Sequence, residues 1–280
     1  MKNFHLLIAK CAFLVMLMIL VSCGKKSTAV APQEPDKGKP EVKATAVNDT
    51  LLNVTYENGT SSSGITGVAA THATAAEAAF MVSPGASGNY AIAHKIVHGD
   101  NGYYSDGNWR SESDAIALQN ARFFPGDERR YEFSVYLKDW TLNPSDATET
   151  NLFQLKLSAG EVPLQIRTTR NAMVLRFAIA NSQPNVSVIS NMQQYVNKWI
   201  HFRVDVGWQT TATGYMKTYM KLPGESDYTL KDNKTNYLTY NSSGASGQIG
   251  YIKWGLYIIP ANSTRIAYHD DIRIIKLPLK

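Results

Sequence analysis

Nine segments of this chain alternate apolar with polar residues at the period of two that a half-buried strand requires. They are Tyr90–Val97, Arg130–Leu137, Leu152–Leu157, Pro163–Thr168, Met173–Ala180, Trp199–Val206, Tyr215–Leu222, Tyr251–Ile258 and Thr264–Lys276. Gly, Asn, Asp, Ser and Pro cluster between them, as in Ser83–Asn89 and Asn241–Gly247, and mark turns. Helical signals are scarce: only Thr71–Phe80 and Met192–Asn197 suggest a turn or two. Many strands without alternating helices predict an all-β fold, a β-jelly roll or two-sheet sandwich. Long runs with polar residues at every second position leave one sheet face open to solvent and to a ligand. No fixed-period repeat occurs, which argues against a propeller or solenoid.

The N-terminus reads differently. Lys2 gives a short basic start, and Ala12–Val21 runs without a charge or a breaker. That run is too short to cross a bilayer, which takes about 20 apolar residues, and it suits the apolar region of a secretory signal. It ends in Leu20-Val21-Ser22-Cys23, a bacterial lipobox pattern. Residues 1–22 are therefore expected to be a leader, with Cys23 the lipid-carrying first residue of the mature chain. The only other cysteine, Cys11, leaves with the leader. No disulfide remains, so the fold must rest on its core. Residues 24–50 place Pro32, Pro35 and Pro40 among charged and hydroxyl residues, the composition of a flexible tether. The folded domain is then 51–280, in a protein held at the cell envelope by its lipid, on either face of the membrane.

The chain carries a net charge of +5, and loss of Lys2 and Lys10 with the leader leaves 26 basic against 23 acidic residues, or +3. A mild positive charge tolerates an anionic polymer. Basic residues are scattered, and no nucleic-acid motif occurs, so nucleic acid is not an expected partner. P-loop, GxSxG, HExxH and CxxC patterns are missing, which removes the usual nucleotide, serine-hydrolase and zinc readings. Fifteen Tyr and five Trp offer flat rings with polar tips, and a Tyr-rich open face on an exported β domain suits carbohydrate. A glycoside hydrolase needs two carboxylates at a set separation, and no close strand pair of the E-x-D-x-x-E type is present.

Three short motifs stand in order: Arg110-Ser111-Glu112 after the turn-rich stretch Gly99–Trp109, then Phe153-Gln154-Leu155-Lys156 on a predicted strand, then Tyr251-Ile252-Lys253-Trp254-Gly255-Leu256-Tyr257 on a late one. Their order and spacing resemble the jelly-roll polysaccharide lyases, which include bacterial alginate lyases and heparin lyase I-like proteins. That group carries R-S/T-E, Q-I/V-H and Y-F-K-x-G-x-Y. The segments Tyr131–Trp140 and Tyr268–Arg273 look like the same group, so the resemblance spans roughly Asn53 to Ile275. It implies a concanavalin A-like sandwich and β-elimination on an anionic, uronate-containing polysaccharide. Arg110 and Gln154 would neutralise the carboxylate beside the C5 proton. Tyr257 matches the strand tyrosine that serves as acid in that group, and in some of its members as base too. Glu112, Tyr251 and Lys253 would contact substrate.

Lys156 stands where the group has His. A solvated lysine, with a pKa of about 10.4, is a poor base at neutral pH; burial or neighbouring cations such as Arg110 would have to lower it. Otherwise Tyr257 acts as both base and acid, or His94, His98 or His201 enters the site. The remaining alternative is a scaffold that binds glycan without cleaving it. Alternation puts Gln154 and Lys156 on one face, and Tyr251, Lys253, Gly255 and Tyr257 on one face; Gly255 would leave room for a sugar near the backbone. No cofactor is required. Glu57 and Asp271, with Asp270, are either ordinary surface charges or ligands of a structural calcium ion. A monomer is expected.

Overall fold

The structure is a computed structural model and describes residues 49–178, 183–241 and 248–279. The expected leader, Cys23 and the tether as far as residue 48 lie outside the described residues. Thr50, expected as the last tether residue, already opens the first strand.

Fifteen strands follow in chain order: β1 (Thr50–Val54), β2 (Ala79–Val82), β3 (Ala91–Val97), β4 (Tyr104–Ser105), β5 (Asn108–Asp114), β6 (Glu128–Leu137), β7 (Thr150–Leu157), β8 (Val162–Thr169), β9 (Ala172–Ala178), β10 (Gln183–Ile189), β11 (Trp199–Gly207), β12 (Gly214–Lys221), β13 (Thr229–Tyr237), β14 (Gly250–Tyr257) and β15 (Thr264–Lys276). One sheet runs β13-β12-β11-β6-β15-β3-β2, with β1 added beside β15; the other runs β10-β9-β8-β7-β14-β5-β4. Every strand pairing described is antiparallel. The expectation of an all-β jelly-roll sandwich therefore holds.

The core lies between the sheets and follows from the alternation. Tyr131, Phe133, Val135 and Leu137 of β6 point inward, as do Ile252, Trp254 and Leu256 of β14. Phe133 stacks on Phe153 of the opposite sheet with centroids 3.8 Å apart, and Phe123 stacks on Trp208 at 3.8 Å. Each such ring, fully buried, stabilises the fold by about 1.5–3 kcal/mol. The two deepest indoles also satisfy their polar tips. Trp254 donates to the Tyr56 hydroxyl at 2.9 Å, and Trp208 to that of Tyr131 at 2.9 Å.

Two local expectations need correction or refinement. Thr71–Phe80 forms no helix: main-chain groups of Ala69 pair with Asp114 on β5, Thr74 and Ala75 donate to Gly102 O, and the segment ends in β2. Pairing with neighbours outweighs the weak helix preference of its alanines. The other expected turn is a single 3₁₀ turn, Met192–Tyr195, capped by Asn191.

Candidate active site

The outward face of the second sheet is built from β5, β14, β7, β8 and β9, and its registers align two polar rows across the strands. The first row is Asp114, Lys253, Gln154, Gln165 and Arg176; the second is Arg110, Tyr257, Asn151 and Arg167. Glu112 pairs with Gly255 between the rows, and Lys156 pairs with Tyr251 beyond the first. Arg110, Glu112, Lys156, Tyr251 and Lys253 line one groove of about 330 Å³, together with His72 and Asp114. Five of the seven substrate or catalytic candidates thus meet in one place. Gln154 sits just behind them. Tyr257 does not line the groove: its hydroxyl accepts from Asn108 Nδ2 at 2.9 Å, and the Arg110 guanidinium lies 4.8 Å from its ring centre. The strand register separates it from Tyr251 by six residues, about 20 Å of extended chain.

Glu112 is 2 % exposed, and both its oxygens are engaged. Lys253 Nζ donates to Oε2 at 2.6 Å and Gln154 Nε2 to Oε1 at 2.7 Å. Gln154 Oε1 accepts from Gln165 at 3.4 Å, and Gln165 Oε1 from Arg176 at 2.8 Å. Glu112 and Lys253 hold each other as a buried pair, and one Gln154 N–H is spent on Glu112. They form the rigid floor of the groove.

The other titratable groups of the groove lie at its edge. Burial first, then Lys253 and Arg110, lower the Lys156 pKa against the opposing pull of Glu112; its ammonium reaches Gly160 O at 3.3 Å. Burial, then the Asp114 and Glu112 carboxylates, push the Tyr251 hydroxyl well up, with Arg110 opposing. Tyr251 therefore keeps its proton at neutral pH. His72 was not among the sequence candidates. Its Nε2 lies 2.6 Å from Asp114 Oδ2, while Asp114 Oδ1 accepts the Ile116 N–H at 3.1 Å. Asp114 is almost buried, whereas the imidazole is 56 % exposed. A carboxylate accepts rather than donates, so a neutral imidazole in this position carries its proton on Nε2 and its lone pair on Nδ1. No motif flagged His72, because it belongs to the segment whose composition imitates a helix.

The other histidines do not supply a base here. His94 is fully buried behind the sheet, bonds Ser113 at 3.0 Å, and is pushed down to about 3 by burial. His98 stacks on Trp109 at 3.9 Å, and His201 bonds Ser134 on the first sheet at 2.8 Å. Gly255 has a different purpose from the one expected. Its φ is +130°, and a Cβ there would stand 2.4 Å from Ser111 O and 3.0 Å from the His94 ring. The glycine makes a bulge possible; it does not clear space for a sugar.

Glu57 accepts main-chain N–H groups of Asn89 and Tyr90 at 2.9 and 3.0 Å, and Asp271 accepts from Ser87 Oγ at 2.6 Å. Asp270 accepts from Ala86 N at 2.8 Å. Among the described residues, no group of three His, Cys, Asp or Glu side chains comes together as a metal cage.

Residues 56–273 match the family model described as polysaccharide lyase. Among solved structures, the endo-β-1,4-glucuronan lyase of the fungus Trichoderma reesei is 16 % identical, with a TM-score of 0.51, over 73 % of this chain and 89 % of that one. A marine alginate lyase of Aplysia kurodai is 11 % identical, with a TM-score of 0.56, over 82 % of this chain and all of that one. The binding domain of botulinum neurotoxin serotype G is 15 % identical, with a TM-score of 0.52, over 82 % of this chain and 49 % of that one. At such identities these likenesses speak for the sandwich alone. No curated protein sequence gives a match.

Proposed function

We propose, from the premise that this chain belongs to the polysaccharide lyase family, that it cleaves a uronate-containing polysaccharide by β-elimination in the groove of the second sheet. The observation that carries the reading is the pairing of a base with an acid. His72, oriented by Asp114, and Tyr251, held protonated, face one groove with Arg110 and Lys156.

The chemistry follows from those groups. Arg110 and Lys156 receive the uronate carboxylate, which makes the C5 proton more acidic and stabilises the enolate-like charge that develops. His72 Nδ1 takes the C5 proton. The C5–H electron pair becomes the C4=C5 double bond, and the C4–O4 bond breaks. O4 takes the Tyr251 proton, leaving a phenolate that burial makes strongly basic. Transfer of the proton from His72 back to Tyr251 resets the site. Lys156 serves here as a cation rather than in the base role of the family's histidine.

The leader and the lipobox support an address at the cell envelope, with Cys23 acylated and residues 24–49 as the spacer. Fatty-acid labelling that persists in Cys23→Ser would sink that placement. The lyase reading is tested by supplying alginate, glucuronan and heparin-type chains and following the ultraviolet band of the unsaturated uronate. A folded protein that binds one of these and forms no product on any is a glycan-binding protein instead.

A further inference from the structure

The segment that carries His72 is gripped by β5 from both faces of that strand. Main-chain groups of Ala69 and Asp114 pair where the two meet. Alternation turns Asp114 outward, where it meets the His72 ring, and turns Ser111 and Ser113 inward, where both are fully buried. Ser113 Oγ donates to Ala70 O at 2.7 Å. Ser111 Oγ donates to Ala78 O, so the Thr71 hydroxyl, 3.2 Å away, must be the donor to Ser111. Thr71 Oγ1 in turn accepts the Ala73 N–H at 3.1 Å. Ala70, Thr71 and Ala73 are thus tied down around His72. Ser113 is itself fixed. Its one hydrogen goes to Ala70 O, so His94 Nε2, 3.0 Å away, must donate to it. That leaves a bare lone pair on His94 Nδ1, which is buried without a partner among the described residues. The inward positions of the neighbouring β14 are Ile252, Trp254 and Leu256. Two buried hydroxyls and a half-satisfied imidazole carry a desolvation cost that such apolar side chains would not. What they hold is the His72 segment.

We propose that Ser113, fixed by His94, is a positioning residue for the elimination: it sets where the His72 imidazole stands over the groove. The role rests on the lyase reading, in which His72 is the base. Asp114 aims the ring but does not fix the chain that bears it, since the imidazole is 56 % exposed and meets a single carboxylate oxygen. Proton abstraction needs Nδ1 within hydrogen-bond reach of its target, and a displacement of about 1 Å lowers a rate by about 10²-fold. Ser113 and Asp114 are neighbours on one strand, so a hydroxyl and a carboxylate hold the same short segment from opposite faces of β5. The base and the carboxylate that aims it therefore move as one body. Ser113 touches no substrate, because it lies inside the sandwich. It acts through the main chain of Ala70.

The test measures kcat, KM and melting temperature for Ser113→Ala and for Ser113→Cys, which keeps a weaker donor in a similar shape. Each is made alone and together with His72→Ala. Alone, Ser113→Ala should lower kcat by about 10 to 10²-fold and leave KM on the best uronate polymer unchanged, with Ser113→Cys between it and the wild type. Beside His72→Ala, neither change should lower the residual kcat further, because the group it positions is gone. Each should still lower the melting temperature as much as it does alone. Equal fold losses of kcat in both backgrounds overturn the positioning role and leave His72 as the base. A loss carried by KM, or a lower melting temperature with full kcat, does the same. Full turnover in His72→Ala itself removes the base reading and the positioning role with it. A wild type that forms no product on any uronate chain removes the lyase reading as well.

Discussion

Two pairs of carboxylates in this molecule are engaged in opposite ways. Glu57 and Asp270 take most of their partners from the main chain of one turn: Asn89 and Tyr90 donate to Glu57, Ala86 and Ser87 to Asp270, with the Asn89 side chain and the Asp271 N–H added. Glu112 and Asp114 rely on side chains of other segments, Lys253, Gln154 and His72, with one main-chain donor, Ile116, on Asp114. Main-chain donors cannot titrate, so the first pair anchors a loop. The Lys253 and His72 donors can, so the second pair sits beside groups able to carry charge. The difference teaches where to look for chemistry on a sandwich whose every strand carries polar residues.

The largest effect should come from the groups that face substrate. His72→Ala and Tyr251→Phe are each expected to lower kcat by about 10² to 10⁴-fold, with melting curves unchanged. Tyr257→Phe should keep most of kcat and alter KM. Steady-state rates on the best uronate polymer decide this: a silent Tyr257→Phe beside an active Tyr251→Phe would return the acid role to Tyr257.

Next comes the buried floor. Glu112→Ala strands the Lys253 ammonium in a nearly water-free site and should destabilise by about 3–5 kcal/mol, read as a shift in denaturant midpoint. The double change Glu112→Leu with Lys253→Met should recover most of that loss. If the double variant is as unstable as the single one, the pair is not the source.

The smallest effect belongs to the loop anchor. Burial, then the neighbouring Asp271, raise the Asp270 pKa to about 7, while N–H groups of Asp271, Ala86 and Ser87 pull it back. An acid whose folded pKa exceeds its unfolded one, about 3.9, stabilises most when protonated. The contribution is full below pH 4 and is lost as pH rises toward 7. Asp270→Asn should flatten that part of the melting-temperature profile and leave turnover intact. A profile identical to the wild type would show that the carboxyl stays ionised and that the anchor does not differ from the groove carboxylates in this way.

How much of this was legible in the sequence depends on what each strand packs against. β6, β11, β12, β14 and β15 bury one face against a hydrophobic core, and their alternation announced them. β5 escaped notice as a strand because its inward residues, Ser111 and Ser113, are buried polar groups that bond Ala78 O and Ala70 O. β13 is an edge strand with mostly exposed or half-buried residues, and β10 contains Pro184; neither carries a buried stripe to read. Within the site, Arg110, Lys156 and Tyr251 were legible as motif positions. His72 was not, since its meaning comes from a partner 42 residues away.

By itself the sequence determined the all-β class, the orientation of each alternating strand and the Tyr-bearing character of an open face, because a period of two sorts side chains between core and solvent. Only the tertiary structure decided which polar residues are floor and which are free. Pairing across strands brought Glu112 to Lys253 and Asp114 to His72, and it set Tyr257 apart from Tyr251. Those outcomes depend on strand register and on segments far apart in the chain, which no local pattern encodes.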